Sequence, residues 1–384
     1  MKTAMKKGLI LFLICLLVAG CSSTGKSAIT ALSEEDYYLV TFRNVNNVGI
    51  FQFGNEETGM AYFDFATGKV ISIPDKNMKK DPHMYPAYVA GIAYYNDFIY
   101  YVYHDENYLS LMRMDPDGNN VKELYQYKNK KYNEIMPDNY SFIYHDQKIY
   151  FEIIGTQFQK NGSFVEEGQL AYFDLKDNSL NLIYEPVLIQ DPQHRKLIAV
   201  DHEKVFYKTV QDSKSDENPK EVLSCYNIET KETLVLEEAE KIRIASEKNI
   251  DLEKHCLYYL DQNYSLIELN YQQQSKRLLL ENSEPIELRY YDQGKVFYFN
   301  MTVDMKQRPE KIMYGFFDVE KEQNFPDFNK EGQQFSIADS NDQYFIGKKL
   351  IQGEEVDSYW YYLDKEAYFN QEFELAKPII GLDW

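Results

Sequence analysis

Seven times along this chain a short aromatic and β-branched run recurs, and that recurrence limits the fold more than any other feature. The runs are Gly49-Ile-Phe-Gln-Phe53, Phe98-Ile-Tyr-Tyr-Val102, Lys148-Ile-Tyr-Phe-Glu152, Lys204-Val-Phe-Tyr-Lys208, His255-Cys-Leu-Tyr-Tyr259, Lys295-Val-Phe-Tyr-Phe299 and Gln343-Tyr-Phe-Ile346. Each is followed by an apolar stretch ending in an acid or an amide: Asp64, Asp115, Asp174, Asn227, Asn270, Asp318 and Asp364, at a mean separation of 50 residues. Tyr, Phe, Ile and Val in such short runs, bounded by turn residues, predict strands rather than helices. The first unit reads as four strands, 37–42, 49–53, 60–65 and 70–73, with Asn46-Asn47 and Thr67-Gly68 as tight turns. The best helical window, 237–248, is short and reads as a loop.

Units of about 40–50 residues with four strands each are the mark of propeller blades. One such unit cannot bury both faces of its own sheet, so stacking in a ring must supply the core. The expected architecture is all-β: a β-propeller of seven four-stranded blades, with six or eight as alternatives. Six would follow if 37–73 and the last unit shared one blade. A pair of eight-stranded sandwiches or two small barrels would not need so even a spacing.

Ahead of the repeats stand Lys2, Lys6 and Lys7, then eleven apolar residues, 9–19, closing in Val18-Ala19-Gly20-Cys21. The run suits a secretion signal and is too short to span a bilayer. Ala19-Gly20 before Cys21 resembles the lipobox of bacterial lipoproteins. That resemblance implies a diacylglyceryl group on Cys21, cleavage of the signal before it, and anchorage by acyl chains to the outer face of the cell membrane. In a two-membrane species Ser22 would direct the protein to the outer membrane. The expected division is a signal at 1–20, lipidated Cys21 and a tether to residue 35, a propeller at 36–377 and a tail at 378–384.

The blade texture over 37–375, as in Phe98-Ile-Tyr-Tyr followed by Leu111-Met-Arg-Met-Asp-Pro-Asp-Gly118, resembles bacterial lipoprotein propellers of the DUF5050-like kind. More distantly it resembles the repeat domains of TolB-type proteins. The resemblance implies an architecture and names no activity. Gly-x-Ser-x-Gly, Gly-x-Gly-x-x-Gly, the P-loop and His-Glu-x-x-His are all missing from the sequence.

Charge narrows the partners. Removing the signal's three lysines takes the formal net charge from −20 to −23. Nucleic acid is excluded on that balance, because phosphate binding needs clustered cations. Adhesion to anionic lipid is equally disfavoured, which leaves the lipid anchor as the membrane contact. Cys225 and Cys256 lie in apolar strand-like runs and are expected as two buried free thiols. Asp115-Pro-Asp117-Gly-Asn119 starts like a calcium loop but has Asn120 and Gln126 where glycine and glutamate are needed, so it reads as a turn.

The histidines are scattered. His145-Asp146 and Asp201-His202 occupy equivalent turns of neighbouring units and are expected as exposed polar turn residues, with no metal site and no cofactor. Carboxylates are too abundant for a glycosidase pair to be named, so a carbohydrate-active hydrolase or lyase with axial carboxylates stays as the alternative to a binding module.

Loop lengths point to a working face. In a four-stranded meander the first–second and third–fourth turns share one end of the blade, and here they are tight. The second–third loops and blade-to-blade connections share the other end and are long: 75–87, 128–139, 155–168, 185–195, 211–220 and 302–311. Function concentrates on long loops carried by a rigid scaffold. The candidate contacts on that face are His83, Tyr85, Lys130, Tyr132, Phe158, Phe164, His194, Arg195 and Arg308. The loops 75–87, 128–139 and 302–311 hold 9 basic against 6 acidic residues, which suits a protein or cell-envelope glycan partner.

Overall fold

The computed structural model describes residues 37–39, 43–45, 49–53, 60–73 and 89–380, apart from 106, 117–118, 139–141, 212–218, 245–247, 283, 304–308 and 352–353. These form seven antiparallel sheets in a ring: a seven-bladed β-propeller. The blades span 43–73, 89–127, 143–182, 196–239, 250–280, 286–325 and 333–379, each with its four main strands in chain order from the axis outwards. The expected signal, Cys21 and the expected tether lie outside the described residues.

Among the described residues the buried apolar side chains fall into seven clusters, one at each junction between neighbouring blades. The aromatic runs explain why. On the second strand of blade 3, Lys148–Phe158, the side chains of Ile149, Phe151 and Ile153 enter the cluster shared with blade 2, while Tyr150 enters the one shared with blade 4. A strand buried on both faces shows no polar alternation, which is why these segments read as continuous apolar runs. The second strands of blade 4 (Lys204–Val210) and blade 6 (Lys295–Val303) follow the same rule.

The acid or amide that ends each unit's apolar stretch has a local task. The side-chain oxygens of Asp64, Asp174, Asn227, Asn270 and Asp364 each accept the backbone N–H two residues on, at 2.9–3.1 Å, and Asp318 accepts the one three residues on. These bonds fold the chain from third into fourth strand. Asp115 differs, accepting the Asn120 side-chain amide at 2.6 Å. The first–second turns use left-handed pairs, Asn96-Asp97 and Asp146-Gln147, as two-residue hairpins require. In blade 7 the Asp364 bond caps a single helical turn, α1 (Lys365–Phe369), which replaces the tight turn and sends Tyr368 into the cluster between blades 6 and 7.

Two boundaries differ from the sequence reading. The innermost strand of blade 1 is Arg43–Val45, paired with Gly49–Phe53, and not 37–42. Tyr37–Leu39 instead pairs with Ile143–His145, the innermost strand of blade 3. An inner edge facing the channel carries unpaired N–H and C=O groups, and the amino-terminal strand satisfies those of blade 3. At the other end Lys377–Ile379 is the fourth strand of blade 7, so the propeller runs beyond residue 377 into the expected tail. Its Pro378 sits on an outer edge, where a missing N–H costs no ladder bond.

Among the described residues no blade mixes strands from blades 1 and 7, and the seam between these two is filled by side chains. Phe63 and Phe65 of blade 1 meet Tyr344 and Tyr362 of blade 7 at ring separations of 4.9–5.6 Å, with Ile50, Ile346 and Ile379 around them. Both cysteines are free and buried, with burial pushing the Cys225 thiol up to about 12 and that of Cys256 to about 11. Phe63→Ala is expected to cost about 3–5 kcal/mol in urea unfolding. A loss below about 1 kcal/mol would show that the seam does not depend on these rings.

Candidate functional site

Blade 3 departs from its neighbours. Its second and third strands, Lys148–Phe158 and Phe164–Asp174, are eleven residues each, against eight and seven in blade 2 and seven each in blade 4. The outer halves rise above the long-loop face as a ribbon, paired down to Phe158 opposite Phe164. A two-stranded ribbon is marginal by itself. Two connections therefore dock on it: Glu134–Pro137 pairs with residues 153–156, and Val187–Leu188 with Glu167 and Gly168. The result is a raised four-stranded patch made from the 2–3 connection, the blade 3 hairpin and the 3–4 connection.

Side chains brace this patch on both flanks. Tyr132 lies over Gly155, where any Cβ would come within 2.6 Å of its ring, and its hydroxyl donates to Glu167 Oε2 at 2.6 Å. Lys131 pairs with the same carboxylate oxygen. Burial pushes the Glu167 carboxyl up, but the bonds from Lys131 and Tyr132 outweigh it and hold the group below its ordinary value. On the other flank His194 Nε2 meets Glu152 Oε1, with the Glu152 side chain 3% exposed. Burial raises the Glu152 pKa, and His194 offsets part of that rise. Gly168 makes the room, since a Cβ there would collide with both partners. The Arg195 guanidinium stacks 3.9 Å above Tyr184, which itself packs on Tyr207 and Tyr226 of blade 4.

The nine candidate contacts thus separate. Tyr132, His194 and Arg195 are partly buried braces rather than free contacts. Phe158 and Phe164 are 56% and 54% exposed, directly cross-strand, and Lys130 is exposed nearby in the 2–3 connection. His83, Tyr85 and Arg308 lie outside the described residues. The positive patch is partly neutralised, because Lys131 is tied to Glu167, while Lys128 keeps its charge 5.1 Å over the Tyr108 ring.

Beside the ribbon, between blades 3 and 4, a cleft of about 370 Å³ is lined by Ile189, Asp191, Pro192, His194, Lys196 and Lys208. Lys208 is held by Glu221 at 3.1 Å and by the Ile242 carbonyl at 3.0 Å. A second cleft on the same face, about 350 Å³ between blades 5 and 6, has Arg243 stacked 4.2 Å over Tyr264 at its wall.

Glu152, Glu167 and Gly168 escaped the sequence reading. The available signal was a carboxylate inside an aromatic strand run and two glycines, Gly155 and Gly168, inside strand-like segments, since strand glycines mark close approach.

No protein-family model matches this sequence, and no curated protein matches it. Solved structures do share its shape. The β-propeller domain of the Trilobed protease from Pyrococcus furiosus, described as having an open velcro topology, superposes with a TM-score of 0.52 at 10% identity, over 92% of this chain and 98% of that one. An acylaminoacyl peptidase from Pyrococcus horikoshii gives 0.53 at 9% identity over 92% of this chain, which corresponds to 54% of the peptidase. TolB from Acinetobacter baumannii gives 0.36 at 12% identity, over 85% and 76% of the two chains. At these identities the likeness to the two Pyrococcus proteins is one of fold alone.

Gly168→Ala is expected to lower stability by about 1–3 kcal/mol, measured by urea unfolding, and to part His194 from Glu152, seen as a shift of the His194 imidazole resonances. An unchanged unfolding midpoint and unchanged resonances would mean that the pair has room to spare.

Proposed function

We propose that this chain is an extracytoplasmic lipoprotein, anchored through Cys21, whose propeller is a binding or scaffolding module for a protein or cell-envelope glycan. The raised patch of blade 3 is its contact surface. One observation carries the reading: blade 3, whose sheet has the most strands among the described residues, ends in an exposed, cross-strand pair of aromatic rings held above the disc by partly buried braces. Large apolar side chains standing clear of a rigid support are what protein interfaces and sugar faces both pack against. The adjoining cleft adds the exposed Lys196 for an acidic or hydroxyl-rich group. Membrane attachment in this reading rests on acyl chains, each buried methylene contributing about 0.8 kcal/mol, and not on charge.

A hydrolase or lyase with axial carboxylates would need space in the channel. Tyr37–Leu39 lies there, along the inner edge of blade 3, and this favours the binding module.

Two measurements test the proposal. Pull-down from solubilised native membranes is expected to recover a partner with the unaltered protein and to lose at least tenfold with Phe158→Ser and Phe164→Ser together; undiminished recovery would remove the hairpin from the interface. Cys21→Ala is expected to abolish incorporation of labelled palmitate and release the protein from the membrane fraction. Continued labelling would refute lipidation at that residue.

A further inference from the structure

The tight-turn face holds a second group of chemically distinctive side chains, far from the raised patch in the blade topology. Blades 3 and 4 present their first–second turns side by side, and the repeat places His145-Asp146 against Asp201-His202. His145 ends the innermost strand of blade 3 and is 2% exposed, so it is not the exposed turn residue that its sequence context suggests. Asp146 and His202 hold left-handed backbone conformations, φ 51° and 49°, which turn both side chains towards the junction.

The donor atoms meet there. His202 Nδ1 lies 2.7 Å from Asp146 Oδ2, and the same oxygen lies 3.7 Å from His145 Nε2. The two imidazole rings are 5.2 Å apart at 49°. One ligand atom from each of the three residues lies within 4.8 Å of the other two. Metal–nitrogen and metal–oxygen bonds of about 2.0–2.1 Å in a tetrahedron put ligand atoms about 3.3 Å apart. The observed 2.7 and 3.7 Å bracket that spacing for the two pairs that include Asp146, and the two histidine nitrogens lie within 4.8 Å of each other, so side-chain shifts of up to about an ångström would seat an ion.

A supporting carboxylate stands behind the group. Asp201, 2% exposed, has Oδ1 3.8 Å from His202 Nε2, while its Oδ2 accepts the Tyr271 hydroxyl at 2.8 Å. At 3.8 Å this is an ion-pair contact and not a hydrogen bond, so Asp201 supplies a nearby negative charge to the far nitrogen of the His202 ring. His255 Nδ1 lies 3.6 Å from Asp201 Oδ2 and continues the polar arc onto blade 5. The Tyr150 hydroxyl donates to the His202 carbonyl at 3.3 Å, tying the second strand of blade 3 to the blade 4 turn.

We propose that His145, Asp146 and His202 form a divalent metal site of the zinc class, bridging blades 3 and 4 and leaving a fourth position open to water or to a partner's side chain. Two imidazoles and one carboxylate suit a borderline ion such as Zn2+ and not Mg2+ or Ca2+, which take oxygen ligands. The strongly acidic chain raises the local concentration of any cation. Nothing in this inference depends on the blade 3 hairpin, so either can fail alone.

The test is calorimetric titration of the full-length protein, stripped with EDTA and freed of it, with Zn2+ alone and with Mg2+ as the comparison. The variants are His202→Asn and Asp146→Asn, because asparagine tolerates a left-handed turn position and preserves the hairpin. The expected result is a saturable Zn2+ event near one per chain, absent with Mg2+, weakened at least tenfold in each variant. A Zn2+-dependent rise in melting temperature should be lost in both variants while their metal-free melting is kept. No saturable uptake by the unaltered protein, or uptake equally strong in both variants, would reduce the group to a hydrogen-bonded His–Asp link between two turns.

Discussion

Everything in this molecule depends on the face-to-face burial of neighbouring blades. A four-stranded sheet with aromatic side chains on both faces has no stable existence in water, because each face exposes apolar area that is worth about 25 cal/mol per Å² only when covered. The ring covers every face with the next. Phe206 points into the junction of blades 4 and 5, and its chain neighbours Val205 and Tyr207 into that of blades 3 and 4. The stacked rings of Phe142, Phe151 and Phe173 do the same between blades 2 and 3. Stability is therefore shared among junctions rather than centred, and each blade's loops are free to vary.

That division explains what the sequence could and could not reveal. The repeat of aromatic runs and terminal Asp or Asn residues was legible because each has a local cause: period-two burial for the runs, backbone capping for Asp64, Asp174 and their counterparts. The elaborated end was legible only in part, because 155–168, read as a long loop, is the upper part of two paired strands joined at 159–163. Pairings across the ring were not legible. Nothing local to Tyr37–Leu39 tells that it will serve blade 3, because that depends on where an unsatisfied inner edge lies. Glu152 and His194, 42 residues apart, meet only because the 3–4 connection folds back over Gly168. His145 and His202 had been placed in matching turns from spacing alone, yet the depth of His145 comes from packing and not from turn chemistry.

The raised hairpin also shows why candidate contact residues became supports. A ribbon standing above a disc loses the cover that neighbouring blades give the lower strands. Its apolar and polar groups must be satisfied by whatever connections pass nearby. Tyr132, Lys131, His194 and Arg195 come from those connections, and each ends on a carboxylate or an aromatic ring. Cationic and aromatic residues in long loops were thus a sign of an elaborated surface, while the surface itself is presented by the tip they hold up.

The seam between blades 1 and 7 has a consequence for the order in which the molecule takes shape. Phe63 and Tyr362 touch, yet they are 299 positions apart along the chain, and the outer strand of the last blade is made of residues 377–379. The other six junctions join segments that are near in sequence and form with little loss of chain entropy. Closing the circle is the one step that must wait for nearly the whole polypeptide. A growing chain would hold an open, crescent-shaped stack with one bare aromatic flank at each end, hidden only when the two flanks find each other.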